Sequence, residues 1–141
     1  MRIADVLRGK GDSVATVGPA ATVAEVIAAL VDGNYGALPV VNGGRLVGIV
    51  SERDVVRRLH EHGPDLLRRP VTEIMVTDVV TCLPTDSTVD LARIMTSRRI
   101  RHLPVVVEGE LRGIVSIGDV VKARIDTLEE ERGQLESYIA G

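Results

Sequence analysis

The sequence predicts an α+β chain of two related halves. Each half reads β-α-β-β-α, with a small sheet flanked by helices, and one long C-terminal helix follows. Three observations carry this reading. Residues 14–56, shifted forward by 65, fall without a gap on residues 79–121, and sixteen of the 43 pairs are identical. A repeat of this kind marks one supersecondary unit used twice. Each copy places a helix-start signal before two short runs rich in Val, Ile and Leu, joined by a glycine-bearing turn. After the second copy, apolar residues recur at helical spacing from Val121 to Ile139.

The elements follow in order. Ile3-Ala4-Asp5-Val6-Leu7 and Val71-Thr72-Glu73-Ile74-Met75 resemble each other and predict a short lead-in helix before each repeat. Short extended segments come next, Val14–Val17 and Val79–Cys82, each followed by a proline, Pro19 or Pro84. Thr22-x-x-Glu25 and Ser87-x-x-Asp90 have capping-box spacing and start the first helix of each repeat. Val23, Val26, Ile27 and Leu30 recur at helical spacing behind the first cap, and Leu91, Ala92, Ile94 and Met95 do so less regularly behind the second. Two strands follow, 37–41 with 46–50 and 102–107 with 111–115. Asn42-Gly43-Gly44 joins the first pair and Glu108-Gly109-Glu110 the second, with weaker turn chemistry. Pro39 and Pro104 cannot donate to a ladder, so they belong at edges, bulges or strand starts. A second helix opens at Ser51 and at Ser116. The polar stretch His60–Pro70, with Gly63-Pro64, reads as the connection. The division expected is residues 1–62 for repeat one with its lead-in helix, 63–70 for the connection, 71–126 for repeat two and 127–141 for the helical extension.

Composition excludes several classes of function. The chain has 141 residues, 45% of them hydrophobic, enough to bury a core. It has two tyrosines and neither Trp nor Phe, so the core is aliphatic and stacking platforms for single-stranded nucleic acid are missing. A net charge of −3 and a pI near 5.6 also speak against a nucleic-acid partner. A single cysteine, Cys82, leaves no internal disulfide and suits a reducing compartment. With no signal peptide and no apolar run of membrane-spanning length, a cytoplasmic protein without a membrane partner is expected.

The chemistry-bearing motif is Ser51-Glu52-Arg53-Asp54, repeated as Ser116-Ile117-Gly118-Asp119, each directly after a strand. A helix N-terminus offers backbone N–H groups and a positive dipole, which suit a phosphate. An aspartate one turn in can accept from the two vicinal hydroxyls of a ribose, as an acid does in dinucleotide folds. The same spacing is also simply a capping box.

A helix, a Leu-Pro-Val-Val strand, a glycine-bearing turn and Gly-Ile-Val-Ser-x-x-Asp opening a helix together resemble the cystathionine-β-synthase (CBS) domain. Two copies resemble a CBS pair, or Bateman module, over nearly the whole chain. The resemblance implies adenine-nucleotide binding (AMP, ADP, ATP or NAD(H)) in clefts that draw on both repeats. One cleft would combine Ser116 and Asp119 with Tyr35, Gly36 and Ala37. The other would combine Ser51 and Asp54 with Ile100 and Arg101. Ile49 and Ile114, two residues before each serine, belong to the same implied set. Ile100 would line the base pocket, and Arg101 or His102 would meet a phosphate.

Side-chain chemistry supports these roles and leaves alternatives. Arg101 and His102 supply charge-assisted donors, as do Arg98 and Arg99 less directly, but cations at a helix C-terminus are favourable anyway. Tyr35 suits a purine face or core packing. Arg53 can reach a phosphate where its counterpart Gly118 cannot, so two unequal sites are expected. His60-Glu61-His62 lacks a third ligand nearby, and Ile114-Val115-Ser116-Ile117-Gly118 is not a nucleophile elbow. No catalytic constellation emerges, and an enzyme is not expected. The function implied is a sensor that signals to a regulated protein; the alternative is an oligomerisation module with vestigial clefts. Val121, Ile125, Leu128, Leu135 and Ile139 form a coiled-coil-like stripe with Arg132 at the missing position, and a homodimer is expected.

Overall fold

Helix α2 (Val23–Gly33) starts where Thr22 stops being extended, and the Thr22 hydroxyl accepts from Glu25 N at 3.2 Å. The same device starts α4 (Thr88–Arg98), with Ser87 accepting from Asp90 N at 3.1 Å. In both, the hydroxyl half of the predicted capping box forms; among the described residues the reciprocal carboxylate bond does not. These helices belong to a computed structural model that describes residues 1–11 and 13–140. The chain separates into two compact units. One gathers Ser13–Thr81 with Val106–Arg112; the other gathers Met1–Asp12, Cys82–Val105 and Gly113–Gly141.

In the unit built on Ser13–Thr81, β1 (Ala37–Asn42) pairs antiparallel with β2 (Arg45–Ser51), placing Ala37 opposite Ser51. Gly43 (φ 60°) and Gly44 (φ 82°) close this hairpin. Positive φ at both central residues makes it a primed turn, whose twist matches the strands it joins. Val23, Val26 and Leu30 of α2 pack with Leu38, Val40 and Val50 of the strands and Val55 of α3 (Glu52–His62). The predicted leading strand shrinks to one parallel bridge, Val17 to Val40. Val17 N donates to Pro39 O at 3.1 Å, so the proline contributes its carbonyl where it has no N–H to give. A register shift lies just beyond Pro39, between Val40 and Val41, an irregularity of the kind that accommodates a strand proline. Arg45 pairs with Glu110 within this unit.

The connection differs from its expected form. Helix α3 runs through His62 and ends at Gly63, whose φ of 71° an L residue rarely adopts. The chain then forms a 3-10 turn over Gly63–Arg68 and another over Val71–Glu73. Leu66 and Val71 are fully buried. Leu66 thus draws a polar-looking segment into the core, and Val71 buries the start of the second lead-in. The second lead-in is this single 3-10 turn, whereas the first is a full α-helix, α1 (Ile3–Lys10).

The other unit holds α1, α4, most of β3 (His102–Val107) and β4 (Glu110–Ser116), and α5 (Ile117–Ala140). Ile3, Leu91, Met95, Leu103, Val105, Val115 and Val120 are buried there. Ile3 N donates to Asp86 O at 2.9 Å and Thr88 N to Met1 O at 3.0 Å, fastening the chain's first residues beside the start of α4. Cys82 N donates to Pro104 O at 3.0 Å, the counterpart of the Val17–Pro39 bond, and again a single bridge replaces the predicted strand. Burial first, and the negative charge of Asp86 second, push the Cys82 thiol up to about 12. The compact units therefore do not coincide with the sequence repeats: residues 1–11 lie with elements of the second repeat, and residues 71–81 and 106–112 with elements of the first. Among the described residues, no helix is long and apolar enough to cross a membrane.

Candidate functional site

Each Ser-x-x-Asp motif sits where a return strand becomes a helix. At the first, Ser51 N donates to Asp54 Oδ2 at 2.8 Å and Asp54 N donates to Ser51 Oγ at 3.2 Å, a complete capping box. The Ser51 hydroxyl also lies 2.9 Å from Oδ2. Glu52 N donates to Gly36 O at 3.0 Å, which brings the Tyr35-Gly36-Ala37 segment against the helix start. Ala37 is buried, Gly36 half-buried, and Tyr35 is 42% exposed with its ring lying over Gly33. Tyr35 is therefore not a core residue. The strand residue Ile49 is half-buried and exchanges backbone bonds with Val76 at 2.9 and 2.8 Å. Arg53 is exposed.

The second motif repeats this geometry. Ser116 N donates to Asp119 Oδ2 at 2.9 Å, and Asp119 N donates to Ser116 Oγ at 3.1 Å. Ile117 N donates to Arg101 O at 2.8 Å, so Arg101 occupies the place that Gly36 holds at the first motif. Ile100 N donates to Met95 O at 3.1 Å, matching Tyr35 N to Leu30 O at 2.9 Å. The Arg101 side chain is exposed and His102, the first residue of β3, is half-buried. Apart from the Ile49–Val76 bonds, the contacts at each motif thus join residues of the same repeat, with one addition at the second.

That addition is Lys10. Its ammonium donates to Asp119 Oδ2 at 2.7 Å and to Ile114 O at 3.0 Å. Burial alone would raise the Asp119 pKa, but hydrogen bonds from Lys10 and the Ser116 backbone, with the Lys10 charge, hold it below the usual carboxylate range. Sequence reasoning did not find Lys10, which lies 109 residues from Asp119. Its only signal is comparison of the lead-ins, where a shift of 68 puts Asp78 at its place.

The arrangement limits what the motifs can offer. The N–H of the first helical residue is taken by a carbonyl, and that of the third by the serine hydroxyl. Two of the donors that would suit a phosphate are thus satisfied internally. Among the described residues, Oδ1 of Asp54 and Oδ1 of Asp119 accept no hydrogen bond. What each corner presents is a carboxylate oxygen, chemistry fitted to a hydroxyl donor. A shallow concavity on α4, lined by Val89, Ala92, Arg93, Thr96 and Ser97, shares no residue with either motif. No group of three or more potential metal ligands occurs among the described residues.

The CBS domain family matches residues 4–61 and 71–126. A crystal structure of the CBS-domain-containing protein ATU1752 from Agrobacterium tumefaciens superposes with a TM-score of 0.85 at 41% identity, covering 88% of this chain and 99% of that one. CBSX2 in complex with AMP superposes at a TM-score of 0.75 and 26% identity, covering 89% of this chain and 97% of that one. The CBS domain pair of protein MJ0100, in complex with methylthioadenosine and S-adenosyl-L-methionine, gives 0.78 and 25% over 87% and 98%. With two matched segments that take in both Ser-x-x-Asp motifs, the chain belongs to the CBS domain family as a tandem pair.

Proposed function

We propose that this CBS pair is a regulatory module that binds an adenosine-bearing ligand and passes the binding event to a partner protein. One observation carries the reading: the open carboxylate oxygen that Asp54 and Asp119 each present at the start of a helix. A ribose diol supplies the hydroxyl donors such an oxygen accepts. AMP, methylthioadenosine and S-adenosyl-L-methionine, the ligands in the two superposed complexes, share adenosine and do not share a phosphate. That common part fits a corner whose helix-end donors are largely used. Signalling follows by population shift, and only to the extent that the ligand binds one arrangement of the module better than another.

Calorimetry with AMP, ADP, ATP, NAD and NADH, on protein stripped of carried-over ligand, tests this reading. Binding of at least one is expected, and Asp54→Ala and Asp119→Ala should each weaken it. Loss of hydrogen bonds to a charged acceptor corresponds to about 1.5–3 kcal/mol. No heat and no rise in Tm with any of the five at millimolar concentration would sink the nucleotide reading and favour a purely structural module.

The tail favours self-association as a second property. Val121, Ile125, Leu128, Leu135 and Ile139 are 48–75% exposed along α5, with Arg132 among them. A stripe at this spacing fits the seam of a helix pair, and a homodimer is the proposed assembly. Light scattering across a concentration series, on the full chain and on a truncation after Asp126, tests it. A monomer at high micromolar concentration rejects the dimer, and an undiminished dimer in the truncation removes the tail from it.

A further inference from the structure

The two lead-in segments meet their strands in the same way, each inside its own unit. A Cβ built on Gly113 would lie 2.7 Å from Leu7 Cδ2, and one built on Gly48 would lie 2.6 Å from Met75 Sδ. Leu7 and Met75 are related by the shift of 68, and Gly48 and Gly113 by the shift of 65. Three residues past each contact the equivalence breaks in charge: one chain position is Lys10, the other Asp78.

Lys10 donates to Asp119 Oδ2 and to the Ile114 carbonyl, and Oδ2 also accepts from Ser116 N–H. Two donors fill the lone pairs of one carboxylate oxygen, leaving only Oδ1 for anything else. At Asp54 the second donor to Oδ2 is the Ser51 hydroxyl. A hydroxyl rotor turns away without separating charge, whereas displacing Lys10 breaks an ion pair.

We propose that Lys10 is a specificity-determining residue of the Asp119 motif: its ammonium holds Oδ2, so a ribose is recognised there through one hydroxyl on Oδ1 instead of through both. The inference rests on the ribose reading above. It makes Asp119 the less discriminating of the two motifs toward the sugar and Asp54 the more discriminating one. The effect is moderate, because the Lys10 and Asp119 side chains are 36% and 21% exposed. Ion pairs of that exposure shift an equilibrium by about fivefold at most.

The test is calorimetry with adenosine and 2′-deoxyadenosine on Lys10→Met and its parent. Both carry Asp54→Ala, so that only the Asp119 motif is read; Asp54→Asn replaces it should the alanine variant not fold. Neither nucleoside carries charge, so their own binding adds no salt term. Lys10→Met is expected to tighten adenosine by up to about fivefold while moving 2′-deoxyadenosine little, which widens the preference for ribose. Lys10→Arg restores the parent's preference, and salt near about 0.5 M narrows the gap between parent and Lys10→Met by screening the pair. An unchanged preference, or weaker adenosine binding in Lys10→Met, overturns the inference while leaving ribose recognition in place. If parent and variant both fold yet bind neither nucleoside, the inference and the ribose reading fall together.

Discussion

Helices α3 and α5 begin with the same motif and end in different ways. Helix α3 stops after 11 residues at Gly63, with Pro64 behind it; α5 runs for 24 residues. The position in α5 equivalent to Gly63 is Leu128, followed by Glu129, and nothing there interrupts the helix. Glycine ends a helix because it takes left-handed φ without cost, and proline cannot continue one. Two residues therefore decide whether the chain returns to the core, where Leu66 is buried, or extends outward, where Glu131 at the same register is exposed. The turns show the converse, with one backbone built from different residues. Asn34 and Arg99 cap α2 and α4 with φ of 54° each, and Gly43 and Glu108 take φ of 60° and 53° in the two hairpins. Asn and Gly are at ease in this region and Arg and Glu are not. Packing holds the second repeat in a conformation that its local sequence does not favour.

Four experiments test this difference between the halves. The largest effect is expected at Leu66. Leu66→Ala should cost about 2–5 kcal/mol, as deletion of a buried aliphatic side chain does, while Glu131→Ala stays within about 0.5 kcal/mol. Urea unfolding measures both, and equal losses would mean that the connection does not belong to the core. Next come the strand glycines. A Cβ at Gly48 meets Met75 Sδ at 2.6 Å and the Val76 carbonyl at 3.0 Å, whereas one at Gly113 meets only the flexible end of Leu7. Gly48→Ala should therefore be the more destabilising, by an overpacking cost of about 1–3 kcal/mol; a reversed order in the same unfolding assay rejects this.

Smaller shifts are expected at the left-handed positions. Arg99→Asn and Glu108→Gly should each stabilise by up to about 1 kcal/mol, and Asn34→Arg and Gly43→Glu should destabilise by a similar amount. Thermal unfolding reads all four, and no rise in Tm for the first two would mean that the second repeat carries no conformational cost. The smallest effect concerns pH. The folded pKa of Asp119 is depressed, so its contribution is present above the unfolded value of about 3.9 and is lost as pH falls through the folded value. Asp119→Asn, and Lys10→Met by removing the partner, should each flatten the decline of Tm in acid. Acid limbs that superpose on the parent's would remove Lys10 from the electrostatics of the motif.

Much of the architecture was legible because local signals and the repeat agreed. Thr22, Ser87, Ser51 and Ser116 each mark a helix start, and Gly43-Gly44 marks a hairpin. The leading strands were overread: Val14–Val17 has the composition of a strand, but only Val17 finds a partner, opposite the carbonyl of a proline. The connection was read as polar because Leu66 and Leu67 stand among Asp65, Arg68 and Arg69; the burial of Leu66 is set by tertiary packing, which a window of sequence does not contain. The two Ser-x-x-Asp helix starts were legible from residue type and spacing. Lys10 was missed because its partners, Ile114 and Asp119, are over a hundred residues away and no local pattern links them.

The placement of residues 1–12 has a consequence for the order in which the protein is made. A ribosome that has delivered residues 1–81 has supplied nearly all of one unit, lacking only Val106–Arg112. Helix α1 by then has none of its long-range hydrogen-bonding or ion-pair partners: Pro84, Asp86, Ile114 and Asp119 belong to the part still to be synthesised. Its eight residues are too few to hold a helix in water alone. Ile3 and Val6 are therefore uncovered until the chain beyond residue 81 emerges. In that interval α1 carries exposed apolar surface of the kind that invites aggregation, although in the finished fold Ile3 is among the most deeply buried residues.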